Sequence, residues 1–216
     1  MPATSSFIPA PYCLRLSPWQ CALKRLFDIV GALLCLLVFA VPMLVCYILI
    51  KREDGGSAIY RQERIGRNGM PFYILKFRSM HADSEREGPQ LSEEGPDMRS
   101  TRIGHRLRAS HLDELPQFWN VLRGDMSFVG PRPERRYFIN LIREQDPRID
   151  YIFQVRPGLS SFATLLNGYT HTTEQMLRRL RYDLFYISHA SLGTDLLIVW
   201  LTARHFLAAF FAGRTK

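Results

Sequence analysis

Cysteine is scarce in this chain, limited to Cys13, Cys21, Cys35 and Cys46, and the last two lie inside an apolar run. None forms a Cys-x-x-Cys pair or neighbours a histidine at metal-ligand spacing, so zinc is not indicated. All four read as reduced, small hydrophobes in a cytoplasm-facing protein. No Gly-x-x-x-x-Gly-Lys-Ser/Thr loop is present and no Gly-x-Gly-x-x-Gly follows a strand, which excludes the common nucleotide-cradling motifs. There is no internal repeat and only one long apolar run. With hydrophobic residues at 47% of 216, most of the chain is not lipid-facing.

Acidic charge is also in deficit. Lysine and arginine number 28 against 20 aspartates and glutamates, a net charge of +8. The surplus points to anionic partners: phosphates, nucleic acid or an acidic membrane surface. Composition alone does not choose among them.

The apolar run extends from Leu26 to Ile50, LFDIVGALLCLLVFAVPMLVCYILI, with Asp28 its only charge. As one straight helix it would reach ~37 Å, enough to span a bilayer core. It is too long for the apolar region of a signal peptide, and no small-x-small cleavage site follows. Pro42 removes a helix hydrogen bond, so a break is expected there. Lys24 and Arg25 precede the run and Lys51 and Arg52 follow it. A single span places only one of these flanks in the cytoplasm, whereas a helix that enters, bends and leaves by the same face places both. Leu26 to Val41 would cover only ~24 Å, short of the ~30 Å needed to cross. A kinked spanning helix stays open on these grounds.

Beyond Ile50 the pattern is that of a soluble domain. SAIYRQERIGRNGMPFYILKFRSM predicts two short strands around Asn68-Gly69. Residues 83–100 read as a mobile loop. Helix is expected from Ser110 to Gly124-Asp125, then in the stripe Tyr137, Phe138, Leu141 and Ile142. A strand or turn is expected at VRPGLSS, and a helix from Thr173 to about His189. The C-terminal run DLLIVWLTARHFLAAFF, with Arg204 and His205 at its centre, fits a helix in the membrane interface or one packed on the core.

The densest chemistry lies in STRIGHRLRASHLDELPQFWNVLRGDMSFVGPRPERR. Between Arg102 and Arg136 there are seven arginines against four acids, Asp113, Glu114, Asp125 and Glu134. Arginine's planar fork binds phosphate bidentately, so the cluster reads first as a phosphate site. Asp113 and Glu114 precede Pro116, which belongs in the first turn of a helix, so the pair sits at or just before a helix N-terminus. Ser110-x-x-Asp113 equally matches a capping box, in which Asp113 only satisfies a backbone donor. Adjacent residues on a helix diverge by about 100°, so distinct roles suit the two carboxylates better than a shared proton. A carboxylate among arginines can attack phosphorus to form an acyl phosphate, with Mg²⁺ and cations offsetting phosphate charge. Asp113, Glu114, Arg108 and Arg132 offer that set.

KRLFDIVGALL, RQERIGRNGMPFYILKFRSM and HLDELPQFWNVLRGDMSFVGPRPE, in that order, closely resemble the bacterial sugar transferases known as monotopic phosphoglycosyl transferases, over about residues 22–210. The resemblance implies a mostly helical α/β (α+β) fold and the small form of the family. Its expected divisions are a lead (1–21), a re-entrant membrane helix broken at Pro42 (22–52), a cytoplasmic catalytic domain with a short β-hairpin (53–192) and an amphipathic interfacial helix (193–216). It implies transfer of a sugar-1-phosphate from a UDP-sugar to polyprenyl phosphate, releasing UMP, at the inner membrane with the domain facing the cytoplasm. Asp113 is then the nucleophile and Glu114 its partner, both near Mg²⁺. Lys76, Arg78, Arg108, Pro131, Arg132 and Pro133 carry the family's substrate-binding motifs. After RPGLS, where many members have a Gly-Trp-Ala-Gln-Val-Asn-Gly-Arg-like stretch, this chain has SFATLLNGYTHTTE, so no sugar is transferred by analogy. Membrane lipids are expected partners, nucleic acid is not, and a homodimer is left open. The competing reading, a membrane-anchored anion-binding scaffold without catalysis, does not account for two acids that weaken polyanion binding from inside the cluster.

Overall fold

A computed structural model describes residues 12, 14, 16–81, 83, 84, 88, 97–168 and 170–211, the last six by backbone alone. Helix α1 (Pro18–Val38) starts three residues before the expected end of the lead. Ser17 and Gln20 form a reciprocal capping box there, and Pro18 takes the first position, where its missing N–H costs nothing. Helix α2 (Ala40–Asp54) leaves α1 at 60° and ends on Gly55, whose left-handed φ of 73° suits glycine. The bend centres on Phe39, three residues before the expected break at Pro42. Pro42 lacks the N–H that would bond Val38, so the helix fails on its N-terminal side and Pro42 falls in the first turn of α2. No single helix among the described residues is long and apolar enough to cross a membrane, but the bent pair passes that test together.

The two helices turn their apolar side chains outward. Leu34, Leu37, Val41 and Leu44 are more than half exposed, while Asp28 and Ala32 of α1 are buried. That inverts the usual pattern of a helix packed on a core.

The β-hairpin lies where the turn residues place it. β1 (Ile59–Ile65) and β2 (Pro71–Phe77) pair antiparallel, Tyr60 opposite Lys76, around Asn68 and Gly69 at positive φ. Among the described residues no third strand covers the outer edge of β2. Asn120 does so instead, accepting from the Leu75 N–H at 2.9 Å and donating to the Tyr73 carbonyl at 2.8 Å. Asn120 belongs to α4 (Gln117–Arg123), which packs on α1, and Arg25 of α1 donates to the Val121 and Leu122 carbonyls at 2.7 Å.

Helix is present earlier than Ser110, in α3 (Arg102–Ala109), capped by Thr101. Ser110 ends that helix and donates to the Arg106 and Leu107 carbonyls, so the alternative capping box with Asp113 does not form. β3 (Ser127–Val129) pairs in parallel with β4 (Gly158–Ser160), which occupies the expected VRPGLSS position. Between them lie α5 (Arg136–Gln145) and a 3₁₀ stretch over Pro147–Gln154. α5 buries Phe138, Ile139 and Ile142, whereas Tyr137 of the expected stripe is exposed. α6 (Phe162–Asn167), α7 (Thr173–Ser188) and α8 (Leu192–Phe211) complete the order. The main core joins Phe138, Ile142, Met176, Leu184, Ile187 and Ile198, and Phe128 at the centre of β3 packs against all three apolar clusters. Cys21, Cys35 and Cys46 are unpaired, as their spacing suggested; Cys13, like most of 83–100, lies outside the described residues.

Candidate active site

Between α3 and α4 the chain makes a tight reversal. His111 adopts φ 56°, a left-handed conformation that costs a non-glycine residue roughly 1–2 kcal/mol. A 3₁₀ turn over Leu112–Glu114 follows, then Pro116 opens α4. The strained reversal points Asp113 and Glu114 into the fold, just ahead of the helix, as the position of Pro116 led one to expect.

Their environments differ. Lys76, from the second strand of the hairpin, donates to Glu114 Oε1 at 2.7 Å, and Arg132, from the loop after β3, reaches the same oxygen at 3.2 Å. Burial works to raise the Glu114 carboxyl, but Lys76 and then Arg132 outweigh it and hold it well below the usual carboxylate range. Asp113 is buried at 7% exposure, and no donor among the described residues hydrogen-bonds its carboxylate. Burial pushes the Asp113 carboxyl up despite Lys76, and the charge on Glu114 adds to the rise. One carboxylate is thus clamped as an anion while its neighbour is buried with no donor on it among the described residues.

The other sequence-predicted positions separate into two groups. Arg108 faces the dyad electrostatically and is held by Asp97 at 3.2 Å, and Asp97 also takes three bonds from Arg99. Pro131 and Pro133 contribute backbone carbonyls to Gly158 and Arg64, at 2.8 and 3.3 Å, and so shape the loop that carries Arg132. Arg78 is not brought to the dyad: its guanidinium grips Asp54 at the end of α2. Within the described residues no three His, Cys, Asp or Glu side chains gather as a ready-made metal cage. Mg²⁺ needs less than that, since it binds through one or two carboxylates with water and substrate phosphates completing its shell. The Asp113 carboxylate and Glu114 Oε2, both without a hydrogen-bond partner among the described residues, fit that donor set.

Sequence reasoning missed the groups that support the site. Asp28 is 1% exposed and accepts from the Ser127 hydroxyl at 2.9 Å and the Phe128 N–H at 3.0 Å. As the sole charge in an apolar run it was the available signal. Lys24 bonds the Val129 carbonyl and Asp195 of α8, at 2.9 and 2.5 Å, and Asp195 also accepts from Tyr186. Asp183 of α7 is 3% exposed and its Oδ1 has no hydrogen-bond partner among the described residues. Burial pushes its carboxyl up to about 7, although Arg179 opposes the rise. A carboxyl raised above its unfolded value stabilises the fold at low pH, and that contribution is lost as pH climbs through about 7. Asp183→Asn is therefore expected to raise Tm by about 3–5 °C at pH 8 and by clearly less at pH 5, where only part of the contribution has been lost. Equal shifts at both values would assign Asp183 an ordinary carboxyl.

The profile of the family described as "Bacterial sugar transferase" matches residues 19–209. A UDP-N-acetylgalactosamine-undecaprenyl-phosphate N-acetylgalactosaminephosphotransferase from Aeromonas hydrophila is 41% identical over 91% of this chain and 46% of its own length. A UDP-glucose:undecaprenyl-phosphate glucose-1-phosphate transferase from Caulobacter vibrioides is 43% identical over 83% of this chain and 67% of its own length. A protein of that same name from Escherichia coli is 40% identical over 83% of this chain and 39% of its own length. The chain therefore spans less than half the length of the first and third of these relatives, and about two thirds of the second.

Proposed function

The chain belongs to the bacterial sugar transferase family, and from that premise we propose that it transfers a sugar-1-phosphate from a UDP-sugar to undecaprenyl phosphate. The names of its relatives support both substrates. The observation that carries the mechanism is the asymmetry of the dyad, a buried Asp113 without a hydrogen-bond donor among the described residues beside a Glu114 held ionised by Lys76 and Arg132.

Asp113 attacks the phosphorus that bears the sugar. An aspartyl oxygen–phosphorus bond forms, the bond to the bridging oxygen breaks, and UMP leaves with that electron pair. A phosphate oxygen of the lipid then attacks the same phosphorus and frees the Asp113 carboxylate. Lys76, Arg108 and Arg132 offset charge on the phosphoryl oxygens, and Glu114 keeps two of these cations in place. Mg²⁺, held by Asp113 and Glu114, supplies further charge neutralisation when bound.

The bent pair α1–α2 supports a re-entrant anchor in the bacterial inner membrane. Both charged flanks then lie on the cytoplasmic side, with α8 in the interface. On α8, Leu196, Leu197 and Trp200 are more than half exposed, and Arg204 sits 5.0 Å over the Trp200 ring. Two measurements test the proposal. The nucleotide released from UDP-glucose or UDP-N-acetylgalactosamine with undecaprenyl phosphate is expected to be UMP; UDP would mark a transferase that moves the sugar without its phosphate. Tags at either terminus are expected to resist protease added outside right-side-out vesicles, and a periplasmic N-terminus would exclude the re-entrant anchor.

A further inference from the structure

The loop from Pro131 to Glu134 is fastened at both ends, and Arg132 lies between the fastenings. The Pro131 carbonyl accepts from the Gly158 N–H at 2.8 Å, and the Glu134 carbonyl accepts from the Ile65 N–H at 3.0 Å. The buried Glu134 carboxylate accepts from Arg179 Nη2 at 2.5 Å and from Arg64 Nη1 at 3.3 Å. Arg179 is itself buried in the middle of α7 and also donates to Thr170 at 3.3 Å.

An ion triad of this kind is a poor way to make a fold stable. Desolvating its charges costs several kcal/mol per ion, and apolar side chains of similar volume commonly stabilise as well or better. It does impose direction. An apolar contact tolerates sliding, whereas two guanidinium groups, one on each oxygen of a single carboxylate, fix its position to within hydrogen-bond tolerance. Arg64 comes from the hairpin and Arg179 from α7, so the carboxylate two residues from Arg132 is located by two separate parts of the domain. Arg132 must in turn reach the dyad, where its bond to Glu114 is 3.2 Å.

We propose that Glu134 and Arg179 are positioning residues for phosphoryl transfer: with Arg64 they set the loop so that the Arg132 guanidinium meets the donor phosphates beside Asp113. The proposal rests on the reaction given above, since it assigns Arg132 to a phosphate of that reaction.

A double-mutant cycle on the full chain in detergent separates positioning from general support. UMP release is followed with UDP-glucose or UDP-N-acetylgalactosamine and undecaprenyl phosphate. Glu134→Gln and Arg179→Lys are each expected to lower kcat/KM by about 10-fold or more in the wild-type background, because the first removes the charge on which Arg64 and Arg179 converge and the second the planar guanidinium that holds Glu134 and Thr170 together. In the Arg132→Ala background the same substitutions are expected to cost less than about 2-fold, since the side chain they position is gone. Thermal melting accompanies each variant. Should Glu134→Gln fail to fold, Arg179→Lys carries the cycle; if neither folds, the triad is a stability element and the proposal falls. Losses that multiply with Arg132→Ala, or near-full activity in either single variant, overturn it as well. A wild-type chain that releases no UMP removes the underlying reaction instead, an outcome distinct from additivity in an active enzyme.

Discussion

Mixing the chain with Mg²⁺ and a UDP-sugar labelled in its β-phosphate, without lipid acceptor, is expected to release about one UMP per enzyme and to leave the label on the peptide that carries Asp113. The reason is electrostatic. A nucleotide donor and a lipid phosphate are both anions, and binding them together forces like charges into one cationic pocket. Splitting the transfer lets Lys76, Arg108 and Arg132 serve each phosphate in turn, with ping-pong kinetics. Asp113→Asn removes the nucleophile but retains its volume and is expected to lower turnover by at least about 10³-fold, without a UMP burst. Glu114→Gln is expected to impair turnover yet retain a slow burst, because its carboxylate organises cations rather than attacking phosphorus. An unlabelled Asp113 peptide, together with kinetics that require both substrates at once, would recast Asp113 as a metal ligand or general base.

The second large effect concerns stability. Asp28→Ala is expected to destabilise the protein by about 2–4 kcal/mol, because it strands the Ser127 hydroxyl and the Phe128 N–H away from water. For a chain of this size that amounts to roughly 5–10 °C in Tm. Asp28→Asn keeps an accepting oxygen and is expected to lose about half as much or less. Phe128 precedes the Arg132 loop, so the Ala variant should also lose activity well below its Tm. An Asp28→Ala variant that melts within a degree of wild type would make the buried carboxylate incidental. The bond joins residues 100 apart in sequence, and it makes α1 part of the fold's core rather than a detachable leash.

What could be read in the sequence follows from range. The Asn68-Gly69 turn, α7 and the position of the dyad ahead of Pro116 depend on residues within a few places of one another, and all three lie where expected. The bend moved from Pro42 to Phe39 because a proline acts on the turn before it. The β3–β4 pair was hidden because each strand is three residues long and has no partner nearby in sequence. Arg78 and Lys76 share one motif, yet one grips Asp54 and the other Glu114, since side chains two places apart in sequence need not share a partner in space. Asp28 stood out as a charge among apolar residues, but its partners on β3 belong to tertiary structure.

The parallel pairing of β3 with β4 also bears on the order in which the protein is made. Parallel strands need a crossover between them, and contacts distant in sequence form slowly because the intervening loop must close first. Lys76 and Glu114 are 38 residues apart and can meet once the hairpin and α4 have formed. The loop that carries Arg132 is fastened by residues further along the chain, Gly158 against Pro131 and Arg179 against Glu134. Gly158 permits that approach, since a Cβ there would lie 2.1 Å from the Gly130 nitrogen. A chain whose synthesis has reached only Gln154 therefore already carries its dyad and Lys76, while the strand that will hold Arg132 against them has yet to emerge.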